Sequence, residues 1–322
     1  MIKWTSSKSA RHAIVIKDHV MRYVGSKKGD VSTVYAHGER YLPAEVIREG
    51  QVVERETFVT FLEECIEEWD IKRQDIQFCV PDGQVIVRMH QVDGAIPHEE
   101  IKGKLYFDLG DSLLLPFDEP IFDFHELGMK DGQKEVLVFA SKEKTIHDYV
   151  SVFEEVKVRP NAADLTALSA YRLFHELDQT STNGYTLLVQ VDATHTNVTF
   201  FNEHHPVFSR SIFSELDQAN WQVKRQGMLE WSGDQDQLFN QIDDQTNEIE
   251  KVLNFYRFNV LKGTGTIERM LICGDHPYLE LVKKSFQNSF SLQLVFLDDL
   301  SDVPLPARYY DVLGLILKKE VR

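Results

Sequence analysis

Basic residues are few for the acids they face: 35 Lys+Arg stand against 51 Asp+Glu, a formal net charge of −16. A surface of that sign excludes nucleic acid as a default partner, because affinity for a phosphate backbone comes mainly from counterions released around basic groups. It also argues against direct insertion into anionic lipid. Glycine is scarce as well, 17 residues where roughly 7% average usage would give about 22. That shortage matters because phosphate-cradling loops are built from glycine. No apolar run approaches the roughly 18 to 20 residues needed to span a bilayer, and residues 1–10 contain no apolar signal-peptide core. A cytosolic protein is expected. The three cysteines, Cys65, Cys79 and Cys273, stand far apart among apolar neighbours and read as small core residues rather than a disulfide or a zinc site.

Several catalytic signatures are missing too. Gly103-Lys104 has no preceding glycine at Walker spacing, and Gly263-Thr264-Gly265 precedes no helix and reads as a turn. The histidines form no His-x-x-x-His pair, and His204-His205 read as a solvated hairpin turn. Asp298, Asp299 and Asp302 lack calcium-loop spacing, and no Gly-x-Ser-x-Gly elbow occurs. No metal is expected.

What is present is an ordinary globular composition, 43% hydrophobic and 27% charged, over 322 residues, enough for about two domains. Residues 12–17 and 20–25 are apolar, β-branched runs separated by Asp18-His19, so the chain starts as a β-meander. Phe58, Phe61, Leu62, Cys65, Ile66 and Trp69 fall at helical spacing. Residues 76–80 read as a buried strand ended by Pro81-Asp82-Gly83, and 84–92 as another. A helix over 97–109, strands over 121–127 and 136–140, and helices around 146–153 and over 161–177 follow. The polar stretch 178–184 is the best linker. Beyond it strands at 185–191, 197–201 and 207–212 repeat the meander, followed by a long polar helix, a strand at 270–273, a helix at 278–286, a strand at 292–297 and a final helix at 311–317. Two halves of the same plan predict an α/β fold of the ribonuclease-H-like, duplicated kind. A doubly wound nucleotide fold would instead open with a βαβ unit.

Certain segments make the resemblance specific. Val80-Pro81-Asp82-Gly83-Gln84-Val85-Ile86-Val87-Arg88, Leu115-Pro116-Phe117 before Phe122-Asp123-Phe124, Val136-Leu137-Val138-Phe139-Ala140-Ser141-Lys142-Glu143, Glu248-Ile249 with Leu253, Phe255 and Tyr256, and Leu313-Gly314-Leu315-Ile316-Leu317-Lys318 occur in the order and spacing of one family. In them the chain resembles the type IV pilus assembly protein PilM family, actin-like relatives of the cell-division protein FtsA. The resemblance implies an actin-like ATPase fold. Residues 1–180 would form domain 1 (subdomain 1A, with a 1C-type insertion at about 81–139), and 181–322 domain 2 (2A, with a reduced 2B at about 214–269).

Actin-like ATPases hold nucleotide between two hairpins, each with an aspartate two residues before a glycine. By the resemblance, Val15 stands where the family has aspartate and Lys17 where it has glycine. In the second hairpin Gln190 takes the place of aspartate and Asp192 that of glycine, with Ala193 and Thr196 matching. The glycine pair near adenosine reads Gly274-Asp275. Larger side chains where backbone must approach phosphate, with both metal-orienting acids lost, disfavour ATP and magnesium, so no cofactor is expected and the protein reads as a pseudo-ATPase. Lys17 retains the capacity to touch phosphate as a point charge.

PilM-like proteins bind the cytoplasmic tail of a PilN membrane protein between subdomains 1A and 1C. The resemblance therefore implies a cytoplasmic adaptor of a pilus or competence-pilus machine, held at the inner face of the membrane by a PilN-like partner, with self-association compatible with the family. Phe78, Val80, Val85 and Val87 are the expected groove residues, against a reading of each as core sheet. The alternative is an FtsA-type filament-forming ATPase that uses nucleotide as a switch. It is weakened by the degenerate hairpins and by residues 318–322, which form no amphipathic membrane-targeting segment. A scaffold of another envelope machine is a third option.

Overall fold

The computed structural model describes residues 10–224, 227–263, 265–300 and 303–319. Its first half opens with three antiparallel strands, β1 (Arg11–Ile16), β2 (Val20–Ser26) and β3 (Val34–Tyr41). The short pair β4 (Ile47–Arg48) and β5 (Gln51–Val52) leads into α1 (Arg55–Glu68), whose Phe58, Phe61, Leu62, Cys65 and Ile66 form one buried face. Strand β6 (Asp75–Val80) then lies parallel to β1. At Pro81 the chain leaves this sheet for β7 (Val85–Asp93), α2 (His98–Asp108), β8 (Pro120–Lys130) and β9 (Gln133–Lys142), which make a separate antiparallel sheet ordered β7-β9-β8. It returns through α3 (Glu143–Glu155) to β10 (Arg159–Leu165), parallel beside β6, and continues as α4 (Thr166–Glu176).

The second half repeats this order. Strands β11 (Tyr185–Val191), β12 (His195–Asn202) and β13 (His205–Phe213) form the meander. A small hairpin, β14 (Trp221–Val223) and β15 (Leu229–Trp231), precedes α5 (Gln235–Phe255), whose first turn is capped by the Asp234 carboxylate accepting from Asp236 N at 2.8 Å. Wider π turns extend α5 through Tyr256–Leu261. Then come β16 (Ile267–Cys273), α6 (Leu279–Ser289), β17 (Gln293–Phe296) and α7 (Tyr310–Ile316). The main sheets are β3-β2-β1-β6-β10 and β13-β12-β11-β16-β17, each an antiparallel meander extended by two parallel strands.

Two expectations need correction. The helix expected over 161–177 begins only at Thr166, because residues 159–165 are the edge strand β10. Its Ala162-Ala163 looks helical in isolation, but a register shift between Pro160 and Ala162 lets the strand pair with β6 despite the missing proline N–H. The first meander has a third strand, β3, half-exposed and therefore without a strong apolar alternation.

Three cores result. One lies between the first sheet and α1 and α3, with Phe78 packed on Phe153. Another lies between the second sheet and α5 and α6. The third joins the halves: Ala13, Val15 and Val24 of the first sheet and Leu188, Phe201 and Leu271 of the second close on α4 and α7. All seven residues of α7 are buried, as befits a helix between two sheets. Cys65, Cys79 and Cys273 are buried and unpaired. Among the described residues no helix is long and apolar enough to cross a membrane.

Candidate functional site

The turns of the two meanders face each other across the junction of the halves. In the first, Lys17 N donates to Val20 O at 2.9 Å, closing the hairpin, and the side chain turns inward. Asp18 turns away: its carboxylate accepts from Glu49 N at 2.7 Å and Gly50 N at 2.9 Å, at a bend where Gly50 adopts φ 75°. In the second, Asp192 N donates to His195 O at 2.9 Å. The third element lies at the end of β16, where Gly274 has φ 130° and a Cβ would fall 2.1 Å from Val191 O. Glycine is required there, and the tight approach lets Asp275 N donate to Asp192 Oδ1 at 3.0 Å.

These turns converge on one ammonium. Lys17 Nζ lies 2.9 Å from Asp192 Oδ1, 3.2 Å from Asp275 Oδ2 and 2.7 Å from Asp311 Oδ2. Asp311 comes from α7. Arg22, on β2, donates through Nη1 to the same Asp275 oxygen and through Nε to Glu39 at 2.6 Å, and Glu39 in turn accepts from Arg308 at 3.1 Å. His19 Nε2 lies 3.3 Å from Asp275. An ion network thus runs from the buried junction to the surface.

Burial pushes the Lys17 ammonium toward neutrality, but the three carboxylates outweigh it and hold its pKa well above the ordinary lysine range. Burial likewise opposes ionisation of Asp275, and Lys17 and Arg22 win, holding it well below the usual carboxylate range. Asp192 goes the other way: burial, with Asp275 beside it, pushes it up to about 7 against the pull of Lys17. Burial lowers His195 and His276 to about 4, so both are neutral at pH 7.

A second buried network lies beside the first. Asp82 accepts from Thr166 N at 3.0 Å, from the Thr166 hydroxyl and from Asn197 Nδ2 at 3.0 Å, while Gln190 Nε2 donates to Thr166 Oγ1 at 3.2 Å. Burial pushes the Asp82 carboxyl up to about 7 despite the bonds from Thr166. The network joins the exit of β6, the start of α4 and the second meander. Next to it a cleft opens among Ile16, Asp18, Gly50, Pro81, Gly83 and Phe213.

The structure therefore brings Lys17, Asp192 and Asp275 together, with Gly274 as the hinge of their approach. Gln190 is near but belongs to the Asp82 network. Val15 is in the core between the sheets and Thr196 is fully buried. Of the four expected groove residues, Phe78 and Val80 lie in the core beneath α1 and α3, Val87 packs with Leu137 and Leu165, and Val85 is half-buried against both clusters.

Asp82, Asp311 and Arg22 were missed. For Arg22 and Asp311 the signal was a lone charge beside apolar residues, as in Val20-Met21-Arg22-Tyr23-Val24 or Asp311-Val312-Leu313-Gly314-Leu315, since a buried charge must have a partner; Asp82, in a turn sequence, gave none. His204 is exposed at its turn, accepting from or donating to the Tyr171 hydroxyl at 3.0 Å. Asp298 and Asp299 pair with Lys283 at 2.7 Å each, while Asp302, Thr264 and residues 320–322 lie outside the described residues. Among the described residues no group of three or more His, Cys, Asp or Glu is arranged to hold a metal.

Comparison with known proteins follows the same lines. The family model described as type IV pilus assembly protein PilM matches residues 17–226. The solved structure of a PilM-PilN type IV pilus biogenesis complex is similar over 97% of this chain and 98% of that chain, with TM-score 0.76 and 15% identity. The ethanolamine utilization protein EutJ from Carboxydothermus hydrogenoformans matches over 96% and 89%, with TM-score 0.54 and 9% identity. A Bacteroides thetaiotaomicron protein with an actin-like ATPase fold matches over 99% and 100%, with TM-score 0.51 and 12% identity. No curated protein sequence matches. The fold is the actin-like ATPase fold.

Proposed function

Because the chain belongs to the type IV pilus assembly protein PilM family, we propose that it is a non-catalytic adaptor of a type IV pilus or competence-pilus assembly machine. It holds the cytoplasmic tail of a PilN-like membrane protein and is thereby kept at the inner face of the membrane. The observation that carries this reading is the likeness, over nearly the whole of both chains, to the solved PilM-PilN complex. Residues 1–180 and 181–322 act as its two domains, with 81–139 as the inserted subdomain. The tail lies in the cleft between the β4–β5 turn and the start of β7, where Phe213 offers apolar contact and Glu49 an acidic rim.

Nucleotide has no part in this function. Lys17 replaces a phosphate-loop glycine and its charge is taken by three carboxylates. Arg22 is likewise engaged by Asp275 and Glu39. Val15 and Gln190 supply no carboxylate for magnesium, and two acids, Asp192 and Asp275, stand where phosphate would need donors. These residues do not fit a nucleotide with its metal. Titration calorimetry with a PilN-like tail peptide and, separately, with Mg-ATP tests both halves: micromolar peptide binding and no heat with ATP are expected. A peptide dissociation constant weaker than about 100 μM contradicts the adaptor role, and micromolar ATP binding contradicts the pseudo-ATPase role.

A further inference from the structure

We propose that Lys17 is an intramolecular ligand: its ammonium fills a cation site built by Asp192, Asp275 and Asp311 and so ties the two halves of the molecule and α7 together. An ammonium has three N–H donors and no acceptor. Around Lys17 Nζ there are three carboxylate oxygens, at 2.7, 2.9 and 3.2 Å, each from a different element. Two of them, Asp192 Oδ1 and Asp275 Oδ2, accept hydrogen bonds from the ammonium, and Asp311 Oδ2 meets it as an ion contact.

The site is enclosed and held in place by backbone. Side-chain exposure is 4% for Lys17, 1% for Asp192, 0% for Asp275 and 7% for Asp311. A surface ion pair contributes little because water competes for both charges, and here water is shut out. Asp275 N donates to Asp192 Oδ1, and Gly274 presses on the Val191 carbonyl, so two of the acids are positioned by main chain independently of Lys17. Asp192 Oδ2, Asp275 Oδ1 and Asp311 Oδ2 are buried with no hydrogen bond, and besides the ammonium Asp275 meets Arg22 and His19 while His195 Nε2 lies 3.6 Å from Asp192 Oδ2. Arg22 reaches only Asp275 of the three.

An emptied site should therefore take a small cation in place of the side chain. The test is chemical rescue of Lys17→Ala in the full chain, read by thermal unfolding. Removing one member of a buried ion cluster is expected to lower Tm by about 10 °C. Methylammonium at about 100 mM should then raise the Tm of the variant by about 3 °C or more, tetramethylammonium at equal ionic strength should not, and the unsubstituted protein should respond to neither. If Lys17→Ala does not fold, Lys17→Ala/Asp192→Asn, which removes one charge of each sign, takes its place with the same two ammonium arms. If neither folds, refolding from urea with methylammonium should recover compact protein by circular dichroism and size exclusion. A Lys17→Ala protein of unchanged Tm overturns the proposal, as does the lack of any methylammonium effect beyond the tetramethylammonium control. Peptide and ATP titrations are separate readouts, so failure here leaves the adaptor reading standing.

Discussion

Gly314 meets Ser169 so closely that a Cβ on Gly314 would fall 1.9 Å from the Ser169 carbonyl oxygen. This is where α7 crosses α4, and Ser169 Oγ also donates to Asp311 O at the same crossing. The contact sets the depth of α7 and hence the position at which Asp311 reaches Lys17. Gly314→Ala is expected to cost roughly 2–4 kcal/mol through overpacking against backbone that has nowhere to move. Gly103→Ala, in α2 with open space around it, should instead stabilise by about 0.5–1 kcal/mol. Urea midpoints of the two variants check both signs.

Core and groove readings of the β6 strand separate cleanly. Phe78 is buried against Phe153, so Phe78→Ala should cost roughly 3–5 kcal/mol by chemical denaturation. A loss under 1 kcal/mol, with weakened peptide binding, would return Phe78 to the groove.

The buried titrating groups oppose one another in acid. His195 and His276, lowered from 6.5 to about 4, contribute stability that is present above pH 6.5 and lost as pH falls toward 4. Asp82 and Asp192, raised from 3.8 to about 7, contribute stability that is present below pH 3.8 and lost as pH rises toward 7. Over the shared window of pH 4 to 6.5 the two pairs nearly cancel. Burial also lowers His12, His204 and His205, so urea midpoints of the unsubstituted protein should rise modestly with pH there. In Asp192→Asn, whatever its absolute stability, the midpoint should rise more steeply with pH across the same window, and an unchanged slope would show that Asp192 is not the opposing acid.

The exposed aromatic on the extension of α5, Phe258, carries no packing load. Phe258 is 75% exposed, so Phe258→Ser should leave Tm within about 1 °C while reducing retention on a hydrophobic column.

Much of this molecule is legible in its sequence because burial writes periodicity. The stripe from Phe58 to Trp69, the run from Val136 to Ala140 and the paired β-branched segments around Asp18-His19 each specify their element locally. Strands β3 and β10 do not, because they lie at the two edges of the first sheet, where half-exposure weakens alternation and pairing with a single neighbour decides the conformation. The ion network was half legible. Lys17, Asp192 and Asp275 stand out because they replace glycine, yet only the fold shows that they compensate one another. Asp311 lies in an apolar helix at the far end of the chain, and nothing local names its partner.

The adaptor and its nucleotide-free junction meet in one titration, that of a PilN-like tail peptide into the purified full chain with and without Mg-ATP. The peptide should bind with a micromolar dissociation constant that is the same in both buffers. Binding that appears only when Mg-ATP is present, or no binding up to about 100 μM in either, would contradict it.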